Sequence, residues 1–362
     1  MTEPKTTSRG RDLLHRPYVW GIAAIVLLLL LNTLKDPGYL AISVHPESGN
    51  LVGNVIDILR ASVPILMVAV GMALVIATGG IDLSVGSIMA VGGATAMQFL
   101  SASDDPSSAG ASAAAIGLAL LISTALGAVN GILVAFVRLQ PFICTLIMML
   151  AGRGIAKVIT DGRNTAAESD PLRWIVNGYV FGFPFVFVLA IGIVIAVGLI
   201  VRRSALGLMI EAIGINLEAS RMAGIRPRGL LLTVYIFSGA LAGIAGLFAV
   251  GTVMTVDVTQ TGYLMELDAI LAVVIGGTAL YGGKFSLGGA VVGALLIATL
   301  DKTVLFLGIP SSASPAFKAV VIIVVCLLQS GHVRRRLRRR RSHEAPPGAV
   351  PADETQKQEA VV

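Results

Sequence analysis

Charged residues are scarce in this sequence, and so are the residues that build metal sites and disulfide frameworks. Only 13% of the 362 residues are Asp, Glu, Lys or Arg, whereas a soluble domain carries about a quarter. The two cysteines, Cys144 and Cys326, lie in apolar segments, and the four histidines form no pairs. We therefore expect neither a soluble globular fold nor a disulfide framework or metal site.

Long apolar runs take the place of the missing charge. Hydrophobic residues make up 55% of the chain, and ten apolar runs are close to the length that crosses a hydrocarbon core of about 30 Å as a helix. The runs are continuous rather than alternating, which favours helices over strands. The sequence predicts an all-α polytopic transmembrane bundle of about ten spans, at 18–34, 61–78, 84–102, 113–137, 142–160, 183–201, 230–251, 267–283, 286–307 and 316–330.

Lys and Arg near the span ends predict the orientation of the bundle. An even number of spans places both termini on one side, together with Arg138, Lys284 and the arginines of segment 202–228, and this side is predicted to be cytoplasmic. Arg153 and Lys157 do not fit, because they lie inside span 142–160, which predicts a broken helix or a polar cavity there. We expect a cytoplasmic segment at 1–17, a membrane domain at 18–331 and a disordered cytoplasmic tail at 332–362.

The net charge of +6 depends largely on one cluster, RRRLRRRRSH at 334–343. A basic cluster directly after the last apolar run is typical of contact with anionic membrane lipid. This placement favours membrane lipid over nucleic acid as the partner of the tail.

Small residues are frequent in the predicted spans. Gly239 and Gly243 form one GxxxG pair, and Gly289 and Gly293 form another, which predicts close helix packing. TGGIDLSVGSIMAVGGA at 78–94 resembles IGGTALYGGKFSLGGAVVGA at 275–294, which suggests an internal duplication.

A nucleotide site is absent from the sequence. The stretch GTALYGGKF resembles a phosphate loop, but Thr278 and Phe285 occupy positions where a Walker A motif needs Gly and Ser or Thr. We expect no cofactor, no ATPase and no enzyme activity in this chain.

Neutral polar residues are more frequent in the spans than ionisable ones. Asp82, Asp268, Asp301 and Lys302 all fall near span ends, which disfavours an ion-coupled carrier. Polar side chains of this kind suit a neutral, hydroxyl-bearing solute, although a Ser or Thr can also bond back to its own helix. The candidate translocation path comprises Asp82, Ser84, Ser87, Gln98, Asn130 and Thr145.

The polar stretch EAIGINLEASRMAGIRPRG at 211–229 predicts a short capped helix between two spans. Asn216 is a favourable N-cap and Gly224 a favourable C′ residue, so the helix is predicted at 217–223. Helical spacing groups Ile215, Ala219, Met222 and Ala223 on one face, predicted to rest on the membrane domain. The opposite face would then present Leu217, Ser220 and Arg221 to a partner, unless this is an ordinary surface helix.

Four segments together resemble the sugar-type permease subunits of bacterial ABC importers, in the ribose, xylose and galactose branch. They are GIDLSVGSIMAVGG, AGRGIAKVITDGRNT, GINLEASRMAGI and VVIGGTALYGGKFSLGGAVVGALL. The resemblance covers residues 18–330, and RGIAKVITDG is most similar to galactofuranose-type members. Lys284 and Phe285 depart from the glycine-containing turn that is frequent in the family.

The resemblance implies that a coupling helix at about 214–225 docks on an ATPase subunit, which hydrolyses ATP on a separate chain. It also implies a second permease as a homo- or heterodimer, a fused tandem ATPase and an extracytoplasmic sugar-binding protein. The residues implied in coupling are Asn216, Leu217, Glu218, Ala219, Ser220, Arg221, Gly224 and Ile225. The expected function is import of a pentose or hexose, galactofuranose among the candidates, into the cytoplasm by alternating access.

Other functions remain open on the sequence. The solute of an ABC permease could be a nucleoside or another neutral polar molecule, and the chain could be a secondary carrier that uses no ATP. A membrane transferase acting on lipid-linked sugars would need clustered carboxylates or a phosphate clamp of His and Arg, which the sequence does not contain.

Overall fold

The computed structural model describes residues 17–46, 49–310 and 313–329. Almost all of the predicted segment 1–17 and the whole of the predicted tail 332–362, including the basic cluster at 334–343, lie outside these residues. The described part is mainly helical, and every predicted span corresponds to a helix. The all-α class is therefore confirmed.

Thirteen helices follow one another in the described residues. They are α1 Pro17–Lys35, α2 Asn54–Ala77, α3 Val85–Ser101, α4 Ala109–Ala135, α5 Pro141–Ile159, α6 Asp170–Asn177, α7 Phe185–Arg203, α8 Leu206–Ile215, α9 Leu217–Met222, α10 Pro227–Val253, α11 Met265–Ile275, α12 Leu287–Leu307 and α13 Ser314–Gln329. Seven of them (α1, α2, α4, α5, α7, α10 and α12) are long and apolar enough to cross a membrane. The other three predicted spans are the shorter helices α3, α11 and α13, so a count of ten spans stays a prediction.

The predicted span 267–283 was too long, because α11 ends at Ile275. Gly276 and Gly277 follow, and Gly277, Gly282 and Gly283 all have φ of about +90°, a conformation that side chains disfavour. The backbone turns back here, and the Gly283 N–H donates to the Ala77 carbonyl at 2.9 Å. Residues 276–286 therefore form a turn that packs against the end of α2.

The two similar glycine-rich stretches occupy equivalent places in the fold. The turn at 78–84 joins α2 to α3, and the turn at 276–286 joins α11 to α12. A Cβ placed on Gly282 would lie 3.0 Å from the Cα of Gly79, so the two turns are in direct contact. Their common placement supports an internal duplication, which stays a prediction.

Short strand pairs connect the helix ends. The antiparallel pairs are β1 Ser43–Val44 with β2 Leu51–Val52, β3 Thr165–Ala166 with β6 Thr255–Val256, and β4 Tyr179–Val180 with β5 Phe183–Pro184. Each strand has two residues, too few for a periodic pattern in the sequence. All three pairs lie in loops that the predicted orientation places outside the cell.

The bundle is built around α2 and α10. In the most apolar window of α2, 78% of the residues are buried, against 17% in α1. Close packing at the centre depends on small residues, because lipid tails leave no hydrophobic driving force between helices. A Cβ on Gly239 of α10 would lie 2.8 Å from the Cα of Gly127 in α4, and one on Gly293 of α12 would lie 1.9 Å from the Ala272 carbonyl oxygen of α11. The predicted role of these glycines in close packing is confirmed.

Candidate functional site

The predicted capped helix is present as α9, one residue shorter than expected. The Ala219 N–H donates to the Asn216 side-chain oxygen at 2.9 Å, which satisfies one of the unpaired N–H groups of the first turn. At the other end, Gly224 has φ +87° and its N–H donates to the Arg221 carbonyl at 3.0 Å. The Ile225 N–H closes the end on the Ser220 carbonyl, also at 3.0 Å. Both predicted caps are thus confirmed.

The predicted faces of this helix are wrong in part: Leu217 and Arg221 are exposed as expected, but Ser220 and the face expected to rest on the membrane domain are not placed as predicted. Ser220 is buried, with 5% of its surface exposed, and its hydroxyl donates to the Asn216 carbonyl at 2.8 Å. Met222 is 88% exposed and Ile215 is 73% exposed, although both were expected to rest on the membrane domain. The distortion at Asn216, where the chain leaves α8 in an extended conformation, rotates α9 so that its apolar residues point outward.

Charge contributes little to the stability of α9. Arg221 and Glu218 approach to 3.9 Å between Nη1 and Oε2, but their side chains are 64% and 73% exposed. Exposed ion pairs of this type contribute at most about 1 kcal/mol. The caps of α9 and its contact with the preceding helix α8 therefore determine its position. The sequence did not predict α8 as a separate element.

A cavity of about 1030 Å³ lies between α9 and the turn that joins α4 to α5. Leu217, Glu218, Arg221 and Ile225 line it on one side, and Arg138 lines it on the other. Thr78, Gly80 and Tyr235 form part of its wall. Three stretches of chain, at 78–80, 134–141 and 213–235, thus meet at one end of the bundle, and each was predicted to lie in the cytoplasm or to adjoin it.

Five of the six predicted path residues are brought together, but as a buried network rather than an open wall. Asp82, Ser84, Ser87, Asn130 and Thr145 each have 0% of their surface exposed. The Ser84 hydroxyl donates to Asp82 Oδ1 at 2.6 Å, and the Asn130 amide donates to Ser84 Oγ at 2.8 Å. The Thr145 hydroxyl lies 3.1 Å from the Ile81 carbonyl, which attaches α5 to the same turn.

Ser238 is a member of this network that the sequence did not indicate. Its hydroxyl donates to Asp82 Oδ2 at 2.8 Å from α10, so that three hydrogen bonds surround the buried carboxyl group. Asp82 thereby connects the turn 78–84 to α10, and through Ser84 to α4. Within a single chain these side chains connect α4, α5 and α10 to the turn 78–84. Their contact with a solute stays a prediction.

Gln98 lies apart from the other path residues. It sits near the opposite end of α3 and is half-buried, and the Thr165 hydroxyl approaches its Oε1 at 3.3 Å. Thr165 belongs to β3, on the predicted extracytoplasmic side. Gln98 and the buried network thus occupy the two ends of the same helix.

Arg153 does not break α5, contrary to one of the two alternatives for that span. Its guanidinium donates to the carbonyls of Thr261 at 2.6 Å and Gly262 at 2.7 Å, and to that of Val258 at 3.3 Å. In the same loop, hydrogen bonds from the Thr259 hydroxyl and backbone hold the pKa of Asp257 below its usual range. Arg153 therefore fixes the loop at 254–264 on the predicted outer side.

Lys318 of α13 is an ionisable residue that sequence reasoning missed. Its Nζ lies 3.0 Å from Asp268 Oδ2 in α11 and 2.8 Å from Asp301 Oδ1 in α12. The Lys318 and Asp268 side chains are 16% and 17% exposed, so this pair is largely shielded from solvent, whereas Asp301 is 38% exposed. The available signal in the sequence was a single lysine within an apolar run. Ionisable residues at membrane depth usually pair with one another, so this lysine indicated an acidic partner.

Comparison with known proteins identifies close relatives of the chain. A family model described as "Branched-chain amino acid transport system / permease component" matches residues 54–327. The fructose import permease protein FruF of Bifidobacterium longum is 51% identical, over 94% of this chain and 96% of the relative. The galactofuranose transporter permease protein YtfT of Escherichia coli is 38% identical, over 94% and 98%. The ribose import permease protein RbsC of Escherichia coli is 38% identical, over 85% and 92%. No solved structure matches the chain.

Proposed function

The chain belongs to the permease-component family of ABC transport systems and within it to the sugar-type importers, and we propose on this basis that it imports a monosaccharide by ATP-driven alternating access. It is a multi-pass protein of the cytoplasmic (inner) membrane, and a transport subunit rather than an enzyme. The relatives are named for fructose, galactofuranose and ribose, which have in common that they are monosaccharides.

The observation that carries the proposal is the outward surface of α9. Leu217 is 45% exposed and Met222 is 88% exposed, on a capped helix at the predicted cytoplasmic end of the bundle. Exposed apolar side chains on a rigid element outside the membrane are typical of a protein interface. We propose that α9 is the coupling helix and that Leu217 and Met222 are its main contacts with an ATPase subunit.

Membership of the family supports a set of proposed partners. We propose an ATPase that is a fused tandem chain, a second permease that completes the membrane pathway, and an extracytoplasmic sugar-binding protein. ATP is bound and hydrolysed by the ATPase, so this chain needs no cofactor of its own. Membrane lipid surrounds the outer helices, where large apolar residues such as Leu121 and Leu150 are 65% and 67% exposed.

The mechanism requires α9 to transmit the change between the open and closed ATPase dimer to the membrane bundle. Closure of the ATPase dimer moves α9, and α8 and α10 transmit that movement to the bundle because they adjoin α9 on both sides. Only a partner that interacts differently with the two permease conformations can shift their populations. The exposed apolar tip of α9 provides contacts that such a partner can gain or lose.

Two substitutions test the proposal in vesicles reconstituted with the ATPase and the binding protein. Leu217→Asp places a charge on the exposed tip, and Gly224→Pro removes the N–H that closes α9 and cannot adopt φ +87°. We expect both to reduce ATP-dependent sugar uptake at least about tenfold, while the chain remains in the membrane.

Leu217→Met and Gly224→Asn are the matched controls. Met keeps the apolar contact, and Asn tolerates the left-handed conformation better than other residues with a side chain. Both controls should retain most of the uptake. Normal ATP-dependent uptake in Leu217→Asp and Gly224→Pro would overturn the assignment of α9.

A further inference from the structure

The cavity beside α9 has an unusual distribution of charge. Among the residues that the structure describes, four arginines line it, namely Arg138, Arg221, Arg226 and Arg228, and Glu218 is the only acidic lining residue. Glu218 is already close to Arg221. Within residues 17–46, 49–310 and 313–329, the side chains of Arg138, Arg226 and Arg228 form no ion pair and no hydrogen bond. The cavity therefore offers three guanidinium groups without a protein acceptor.

The remaining wall of the cavity is mainly apolar. Val134, Ile213 and Leu231 line it together with the ring-bearing residues Phe136 and Tyr235. Tyr235 is completely buried, and its hydroxyl has no hydrogen-bond partner among the described residues. A volume of about 1030 Å³ is at the upper end of the range of small-molecule sites, about 300–1000 Å³. The cavity thus combines a basic rim with an apolar interior, which suits an amphiphilic anion.

The apolar wall continues onto the exposed outer surface of the bundle. Phe136 and Leu139 line the cavity and are also 50% and 39% exposed. Phe142 and Ile143 follow in the first turn of α5 and are exposed as well. The acyl chain of a lipid can therefore lie along α5 while the headgroup of the lipid reaches the arginines. A soluble anion would not require this exposed apolar surface.

We propose that this cavity binds the phosphate headgroup of an anionic membrane lipid. Guanidinium groups match phosphate oxygens with paired hydrogen bonds, and basic pockets at the cytoplasmic ends of transmembrane helices are suited to anionic headgroups. Binding itself does not depend on the transport function. One consequence does rest on the proposed function: because Leu217, Glu218 and Arg221 line the same cavity, a bound lipid positions α9 for the ATPase.

The test compares two double variants of the full chain with the same change of charge. Arg226→Gln/Arg228→Gln removes two cavity arginines, and Arg202→Gln/Arg203→Gln removes two exposed arginines at the end of α7 that do not line the cavity. Binding of phosphatidylglycerol is measured by native mass spectrometry and by the rise in unfolding temperature in mixed micelles, with phosphatidylcholine as the neutral reference. Unchanged elution and unfolding in phosphatidylcholine alone show that each variant is folded.

We expect the cavity variant to bind phosphatidylglycerol at least about 100-fold more weakly, since each lost hydrogen bond between a guanidinium and the phosphate contributes about a factor of ten or more. The control variant should bind as the parent chain does. Equal losses in both variants would indicate diffuse surface charge and overturn the proposal. Protection by inorganic phosphate or a hexose phosphate, but not by phosphatidylglycerol, would overturn the lipid assignment in favour of a soluble anion. Loss of uptake in Met222→Asp, at an exposed residue that does not line the cavity, with intact lipid binding separates this proposal from that of α9.

Discussion

The contact between α4 and α10 permits a sharp prediction, because two glycines in these helices differ in what an added methyl group would meet. A Cβ built on Gly239 would lie 2.6 Å from the Ser123 carbonyl oxygen and 2.8 Å from the Gly127 Cα, both backbone atoms that cannot rotate away. A Cβ on Gly117 would meet nothing within 4 Å. Gly239→Ala must therefore separate the helices by several tenths of an ångström, whereas Gly117→Ala needs no movement.

The two substitutions should affect stability differently. Overpacking of a close interface costs about 1–3 kcal/mol, so Gly239→Ala should lower the unfolding temperature, on the order of 2–4 °C per kcal/mol. Gly117→Ala should leave it unchanged or raise it slightly, because alanine restricts the unfolded chain by up to about 1 kcal/mol more than glycine.

The assay is thermal unfolding of the purified chain in one detergent, followed by tryptophan fluorescence. Both variants add one methyl group in the interior of a long helix, so the change in helix propensity is the same in the two variants. An equal unfolding temperature in Gly239→Ala and Gly117→Ala would refute the reasoning that backbone contact at Gly239 determines the distance between α4 and α10.

Two further predictions concern the buried polar groups. Lys318→Met should lower stability by about 2 kcal/mol, since it leaves Asp268 and Asp301 without their cation. In thermal unfolding, the triple variant Lys318→Met/Asp268→Asn/Asp301→Asn should recover the lost stability, and no recovery would mean that charge is not the cause. Asp82→Ala should destabilise by about 1–3 kcal/mol, because the hydroxyls of Ser84 and Ser238 lose their acceptor. Asp82→Asn, which keeps one acceptor oxygen, should unfold at an intermediate temperature, and an unfolding temperature of Asp82→Ala equal to that of the parent would contradict the proposed role of the network.

Much of the fold could be predicted because transmembrane helices depend on local composition. The ten predicted runs correspond to ten helices, with the main error at 267–283, where a glycine-rich turn was included in an apolar run. The caps of α9 were also predictable, since the Asn216 side chain bonds an N–H only three residues away. Interactions of this range are encoded by adjacent residue types alone.

The candidate site was less predictable because it depends on distant contacts. Asp82 and Ser238 are 156 positions apart, and Lys318 and Asp268 are 50 apart. No local pattern relates such residues. The rotation of each helix about its axis was equally hidden, because in lipid both the packed face and the exposed face are apolar and amphipathicity does not distinguish them.

The sequence by itself therefore determined the class of the protein, the order of the ten predicted apolar runs and a capped helix predicted at 217–223, which ends one residue earlier in the structure. Each of these depends on composition or on hydrogen bonds within a few residues. Only the tertiary structure decided that Met222 faces outward and Ser220 inward, that Asp82 is enclosed rather than exposed, and that one cavity is lined by three arginines with no ion pair among the described residues. These features arise where helices distant in sequence meet, and packing geometry determines them.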